Sequence, residues 1–127
     1  MVSTADDYAR FGQMLLNGGE LDGVRVLQPE TVHFMTAGSL SRELEPVFNT
    51  NFPNMPGFTY GNLVRVMKYP GSSVSLNNVG EYGWDGWLGC YFANDPAAQR
   101  TIIFMMQRTD SGMIPLVRRL RNVIMSE

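Results

Sequence analysis

Residues able to do nucleophilic or acid–base chemistry are few in this chain, and they are dispersed. There is one histidine, His33, one cysteine, Cys90, and one lysine, Lys68. His33 lies in the run Pro29-Glu30-Thr31-Val32-His33-Phe34-Met35 with no serine or cysteine placed beside it, so it reads as a helix-surface residue rather than a base. Cys90 lies in Trp87-Leu88-Gly89-Cys90-Tyr91-Phe92, where a buried thiol behaves as a small hydrophobe. A single cysteine forms no internal disulfide and no multi-cysteine zinc site. The densest concentration of aromatic and polar residues is Gly80-Glu81-Tyr82-Gly83-Trp84-Asp85-Gly86-Trp87. In itself it reads as a Gly-rich turn leading into a buried strand.

The elements that must position this segment follow from capping and periodicity. Ser3 or Thr4 can cap a first helix, with Asp6 and Asp7 in the turn where negative charge is favoured. Tyr8, Phe11 and Leu15, beside Met14, fall at the spacing of one buried face. Asn17-Gly18-Gly19 ends it, and Asp22-Gly23 makes a tight turn between short extended flanks. Pro29 opens a short second helix. Residues 37–56 show no clear period and read as a long loop. Phe58 to Tyr69 reads as one strand, with Val64 and Val66 on a common face, and residues 70–80 as a second loop. Gly86–Asn94 and Thr101–Arg108 read as strands joined across Asp95–Gln99. Apolar residues on both faces of Thr101–Met106 suit a strand covered on both sides. Met113, Val117, Leu120 and Ile124 form the stripe of a closing helix, with Arg118, Arg119 and Arg121 complementing its dipole. The expectation is a single α+β domain over residues 1–127, an antiparallel sheet of about three strands with flanking helices including a C-terminal one.

Composition narrows the function classes. The chain has 127 residues, 44% of them hydrophobic and 17% charged, and a formal net charge of −2. Such a chain can bury a core, and its scattered basic residues make no nucleic-acid footprint. No apolar run reaches the roughly 18 residues of a membrane span, and the opening residues lack the basic and apolar regions of a signal peptide. The compartment stays open.

Two segments carry a family resemblance. Val2-Ser3-Thr4-Ala5-Asp6-Asp7-Tyr8-Ala9-Arg10-Phe11 with Met14-Leu15-Leu16-Asn17-Gly18-Gly19, continuing through Gly23-Val24-Arg25-Val26-Leu27 and Pro29–Val32, resembles a helical region of class C β-lactamases and penicillin-binding-protein-like serine hydrolases. Gly80–Trp87, leading to Phe92-Ala93-Asn94-Asp95-Pro96, is similar to the strand and turn bearing that family's third active-site motif. β-Lactamase-fold carboxylesterases are the nearest members. The resemblance covers most of the chain and is weakest over residues 37–57. It implies a partial β-lactamase/transpeptidase-like fold and, for the parent family, hydrolysis of esters, β-lactams or peptide amides without a cofactor or metal.

In that family a Ser-x-x-Lys pair supplies nucleophile and base, a Tyr-x-Asn motif relays the proton, and a Lys/His/Trp-x-Gly strand closes the site. A serine hydroxyl needs an adjacent base, and the tetrahedral intermediate needs preorganised amide donors. Here the resemblance assigns Trp84-Asp85-Gly86 to the third motif. Gly86 and Trp87 then stand at the catalytic position, the Trp87 amide as oxyanion donor, and Tyr82, Trp84 and Asp85 line the substrate side. Esterases of the family usually carry a small residue where Asp85 stands and often one at Trp87; a carboxylate facing a developing oxyanion would oppose it. No serine is followed by a lysine three residues later. Tyr60-Gly61-Asn62 matches Tyr-x-Asn in letters but falls where the family has an aromatic, Gly-rich strand. The chain on its own is therefore expected to be inactive, a C-terminal portion of a hydrolase lacking its nucleophile. Alternatively it is a non-catalytic module that self-associates, as a homodimer, or complements an N-terminal portion. A small-ligand role around Tyr82, Trp84 and Trp87 is a third possibility, supported by aromatic density alone.

Overall fold

A computed structural model of the chain describes residues 2–109 and 115–127. In chain order the elements are α1 (Ala5–Leu16), β1 (Glu20–Leu21), β2 (Val24–Arg25), α2 (Pro29–Thr36), α3 (Glu45–Asn51), β3 (Phe58–Tyr60), β4 (Arg65–Met67), a 3-10 turn at Pro70–Ser72, β5 (Tyr82–Asp85), β6 (Tyr91–Asp95), β7 (Arg100–Phe104) and α4 (Pro115–Met125). Strands β3 to β7 form one antiparallel sheet in sequence order, each paired with its neighbour, and β1–β2 is a separate hairpin. The fold is α+β, as expected, but the sheet has five strands rather than about three.

One extra strand comes from a run that doubles back, and the other, β5, lies ahead of the expected strand Gly86–Asn94. The stretch expected as one strand from Phe58 to Tyr69 is a hairpin, pairing Phe58 with Met67 and Tyr60 with Arg65. Its turn places Leu63 at φ 72°, a left-handed conformation unfavourable for a side chain that size. Contacts from α2 hold it there: the Asn62 amide donates to the Met35 carbonyl at 3.2 Å, and Asn62 Nδ2 to the Phe34 carbonyl at 3.0 Å. The run Gly86–Asn94 likewise breaks. Gly86 N–H donates to the Cys90 carbonyl at 2.7 Å and Gly89 N–H to the Gly86 carbonyl at 2.9 Å, so β6 starts only at Tyr91. β5 precedes that turn and pairs Trp84 with Phe92 and Asp85 with Tyr91.

The loop expected over residues 37–56 contains α3, with Pro46 in its first turn and Phe48 buried. One buried residue in a seven-residue helix leaves no periodicity to read. Phe48 packs against Phe52 one turn later, the rings tilted by 34° with centroids 4.9 Å apart.

The sheet is covered on both faces. On one, Phe58, Met67, Tyr91, Ala93 and Ile102 pack with Phe48 of α3 and Val117 of α4. On the other, Val66, Tyr82 and Phe92 pack with Met14 and Leu15 of α1 and Val32 of α2, and Val64 joins them. Thr4 caps α1, its Oγ1 accepting from Asp7 N–H at 3.1 Å. The contact face of α1 differs from expectation. Phe11 is 42% exposed, and Gly12 makes the close approach: a Cβ there would lie 2.9 Å from Thr101 and 3.0 Å from Phe92. Asn94 locks this contact, donating to the Gly12 carbonyl at 2.8 Å and to Tyr82 Oη at 3.0 Å while accepting from Thr101 Oγ1 at 2.7 Å.

On α4, Val117 is buried and Ile124 packs against the core, whereas Leu120 is 39% exposed. Met113, the first member of the expected stripe, lies outside the described residues. Arg121, expected as a charge complementing the dipole near the helix end, is 1% exposed. The cause is a buried carboxylate, Glu81, which draws its guanidinium inward.

Candidate functional site

The Gly80–Trp87 segment is presented at one end of the central strand. β5 carries it between β4 and β6, and the hydrogen bonds of Gly86 and Gly89 close the turn that follows. Trp87 projects from this turn, 79% exposed, with Leu88 beside it at 47%. Arg108 N–H donates to the Leu88 carbonyl at 2.8 Å and ties the turn to the chain beyond β7. The Trp87 amide makes no hydrogen bond within the described residues. A free N–H at a strand end, on a turn closed by the Gly86 and Gly89 hydrogen bonds, has the character an anion-binding donor requires.

Trp84 is half-buried. Its indole meets the Tyr60 ring edge-on at 5.4 Å and the Phe52 ring at 5.7 Å. An open apolar cavity of about 310 Å3 lies where these rings meet Leu40, Leu44, Val47 and Phe48. A smaller one of about 160 Å3 is bounded by Tyr8, Trp84, Asp85, Gly86 and Cys90. Trp84, Asp85 and Gly86 thus share the smaller cavity, whereas Trp87 projects into solvent and lines neither. Tyr82 stands apart: it is 3% exposed in the core under α1, bonded to Asn94, and offers no surface to a ligand. Burial pushes its phenol upward in pKa, with the Asn94 hydrogen bond opposing.

Asp85 sits differently from the arrangement in which it would oppose an oxyanion. Its carboxylate turns into the protein, where Oδ1 lies 2.7 Å from Nη1 of Arg65; the side chains are 5% and 0% exposed. The approach is an ion pair without hydrogen-bond alignment. Burial raises the Asp85 carboxyl above its ordinary value, and the charges of Arg65 and Arg121 pull it back. Arg65 in turn lies between two rings, its guanidinium carbon 5.2 Å from the Phe58 centroid and 4.9 Å from that of Tyr91.

Arg65 escaped the sequence reading, as did the Glu81–Arg121 pair. The available signal was an arginine inside the apolar run Leu63-Val64-Arg65-Val66-Met67, since a charge on a buried strand must find a partner. Cys90 is partly buried, its thiol 3.5 Å from the Met106 carbonyl, and His33 is exposed on α2. Among the described residues no cluster of His, Cys, Asp or Glu could hold a metal ion, and no helix is long and apolar enough to cross a membrane.

Comparisons with known proteins agree with this architecture. The family model described as Beta-lactamase matches residues 1–123. Two curated relatives from Mycobacterium tuberculosis, the uncharacterized protein MT1414 of strain CDC 1551 / Oshkosh and protein Rv1367c of strain H37Rv, are each 36% identical over 108 residues. That alignment takes in 83% of this chain and 27% of each relative, so the chain spans about a quarter of their length. Among solved structures, EstCE1, described as a hydrolase with promiscuous acyltransferase activity, superposes with a TM-score of 0.69 at 19% identity. The superposition covers 94% of this chain and 28% of EstCE1, a likeness of fold. With its helices, its central sheet and a family model that matches residues 1–123, the chain belongs to the beta-lactamase family and represents part of that fold.

Proposed function

We propose that this chain is one wall of a serine-hydrolase active site: the Trp84–Trp87 turn supplies the oxyanion donor, and a Ser-x-x-Lys pair must come from another part of the polypeptide or from another chain. The carrying observation is the unbonded Trp87 N–H on a turn closed by the Gly86 and Gly89 hydrogen bonds. An amide held in that way stabilises negative charge developing on a carbonyl oxygen without reorganising. Asp85, folded back onto Arg65, does not stand against that charge. The substrates are small esters, β-lactams or related amides. The apolar lining beside Trp84 favours esters with an apolar group.

Two assays test this. The purified chain is expected to be silent with a chromogenic short-chain ester and with a chromogenic cephalosporin; turnover proportional to protein would mean an unrecognised nucleophile. Mixed with a polypeptide carrying the Ser-x-x-Lys region of a relative, it should yield activity. There Trp87→Pro, which deletes the N–H, should lower kcat by about 10²–10³. Equal kcat in that variant would remove Trp87 from the mechanism.

A second reading is supported by exposed apolar residues around the turn and α1, namely Trp87, Leu88, Phe11 and Met105. In it the chain is a non-catalytic module that associates through this surface.

A further inference from the structure

We infer that Arg65 is a positioning residue for the Trp84–Trp87 turn, acting through Asp85 to fix the direction of the Trp87 N–H. The inference rests on reading that amide as the oxyanion donor.

Arg65 touches the strands on which the turn depends. It belongs to β4, its Nη1 pairs with Asp85 at the end of β5, and its Nη2 donates to the Phe92 carbonyl on β6 at 3.3 Å. Its guanidinium also lies over the rings of Phe58 and Tyr91, which restrict its movement. Gly86, the next residue after Asp85, has no side chain to fix its torsions. The turn is therefore held from two ends: the Gly86 N–H bond to the Cys90 carbonyl on one side, and the Asp85 carboxylate on the other.

The pair also decides where a charge goes. A carboxylate buried without a counter-charge is strongly unfavourable, and rotation toward water is its simplest relief. The pairing with Arg65 instead holds the Asp85 carboxylate inside the protein, away from solvent.

The test uses the whole chain, labelled with 15N, and reads the Trp87 and Gly86 amides directly, with no need for activity. Asp85→Gly removes the anchor and should shift both resonances and raise the Trp87 hydrogen-exchange rate, while the amides of α2 stay in place. Arg65→Met should shift the same two amides, and Arg65→Lys should return them part of the way. The double variant Arg65→Met with Asp85→Gly should match Asp85→Gly alone, because two residues acting as a unit are not additive. Unchanged Trp87 resonance and exchange in a folded Asp85→Gly protein would overturn the proposal. Should Arg65→Met fail to fold, Asp85→Gly and Arg65→Lys decide the matter. A merely structural role would lower the melting temperature without singling out these amides. Failure of the hydrolase reading would appear instead as a silent reassembled enzyme, with the turn measurements unaffected.

Discussion

Arg121 Nη1 on α4 donates to Glu81 Oε1 at 2.8 Å, joining the closing helix to the residue just before β5. The two side chains are 0% and 1% exposed. The same guanidinium donates to Tyr91 Oη and to the Leu76 carbonyl, both at 2.6 Å, and Asn77 Nδ2 reaches both Glu81 oxygens at 3.1 and 3.0 Å. Removing one partner strands the other, so Arg121→Met should cost about 3–5 kcal/mol. Adding Glu81→Leu should restore much of that loss, since an apolar pair of similar volume often replaces a buried ion pair at little cost. Urea unfolding midpoints at constant m-value check this. A double variant as unstable as the single one would show that the helix is held by something else.

The pH dependence of stability should expose Asp85. Burial raises its carboxyl in the folded state, and the pull of Arg65 and Arg121 only partly offsets that. The folded protein then keeps the proton to higher pH than the unfolded chain does. This group's contribution is accordingly largest in acid and declines as pH rises through the raised value. Asp85→Asn cannot titrate and loses that decline. Its melting temperature relative to the parent should climb as pH rises above about 4, the ordinary aspartate value. A flat or falling difference would mean that Arg65, not burial, sets the carboxyl.

What could be read from the sequence divides by the range of the interaction responsible. The cap at Thr4, the Asp22-Gly23 turn, Pro29 at a helix start and the β6–β7 connection rest on contacts within a few residues, and each appears where expected. The β3–β4 hairpin does not announce itself, because Leu63 takes its left-handed conformation under hydrogen bonds to α2, nearly 30 residues away. Arg121 looks like a helix-end charge until Glu81, 40 residues earlier, is placed beneath it. The site shows the same division. Trp84 to Trp87 are visible as a contiguous motif, whereas Arg65 acts across the sheet and carries no local mark.

Gly83→Ala should be among the most damaging small substitutions. On β5, paired opposite Ala93, a Cβ at this position would lie 1.9 Å from the Phe92 carbonyl oxygen and 2.9 Å from the Ala93 Cα. Both are backbone atoms, so relief requires prying β5 from β6 at the strand that carries the turn. Overpacking of this kind costs about 1–3 kcal/mol or more. Thermal unfolding of Gly83→Ala beside Gly71→Ala, where a Cβ meets nothing within 4 Å, separates the clash from general loss of a glycine. Equal melting temperatures would show that the strands separate easily.

The free edge of β7 leads to a prediction about assembly. β7 ends the sheet among the described residues, and α1 flanks it across a groove of about 390 Å3 lined by Ala5, Asp6, Ala9, Gln13, Thr101, Ile103 and Met105. Edge strands template further pairing unless a charge, a proline or a bulge intervenes, and Thr101–Met106 contains neither charge nor proline. A second copy of the chain can add its own β7 antiparallel to this edge, which makes the contact self-complementary and closed. We therefore expect a dimer whose population grows with concentration, measurable by light scattering or sedimentation. Met105→Lys puts a charge at the strand's end, where the side chain is already 40% exposed, and should shift the equilibrium to monomer without unfolding the protein. A parent chain that stays monomeric at every concentration argues against the edge as an interface. A dimer unchanged by Met105→Lys would move the contact to the Trp87–Leu88 surface, where binding a second copy would cover the amide assigned to the oxyanion.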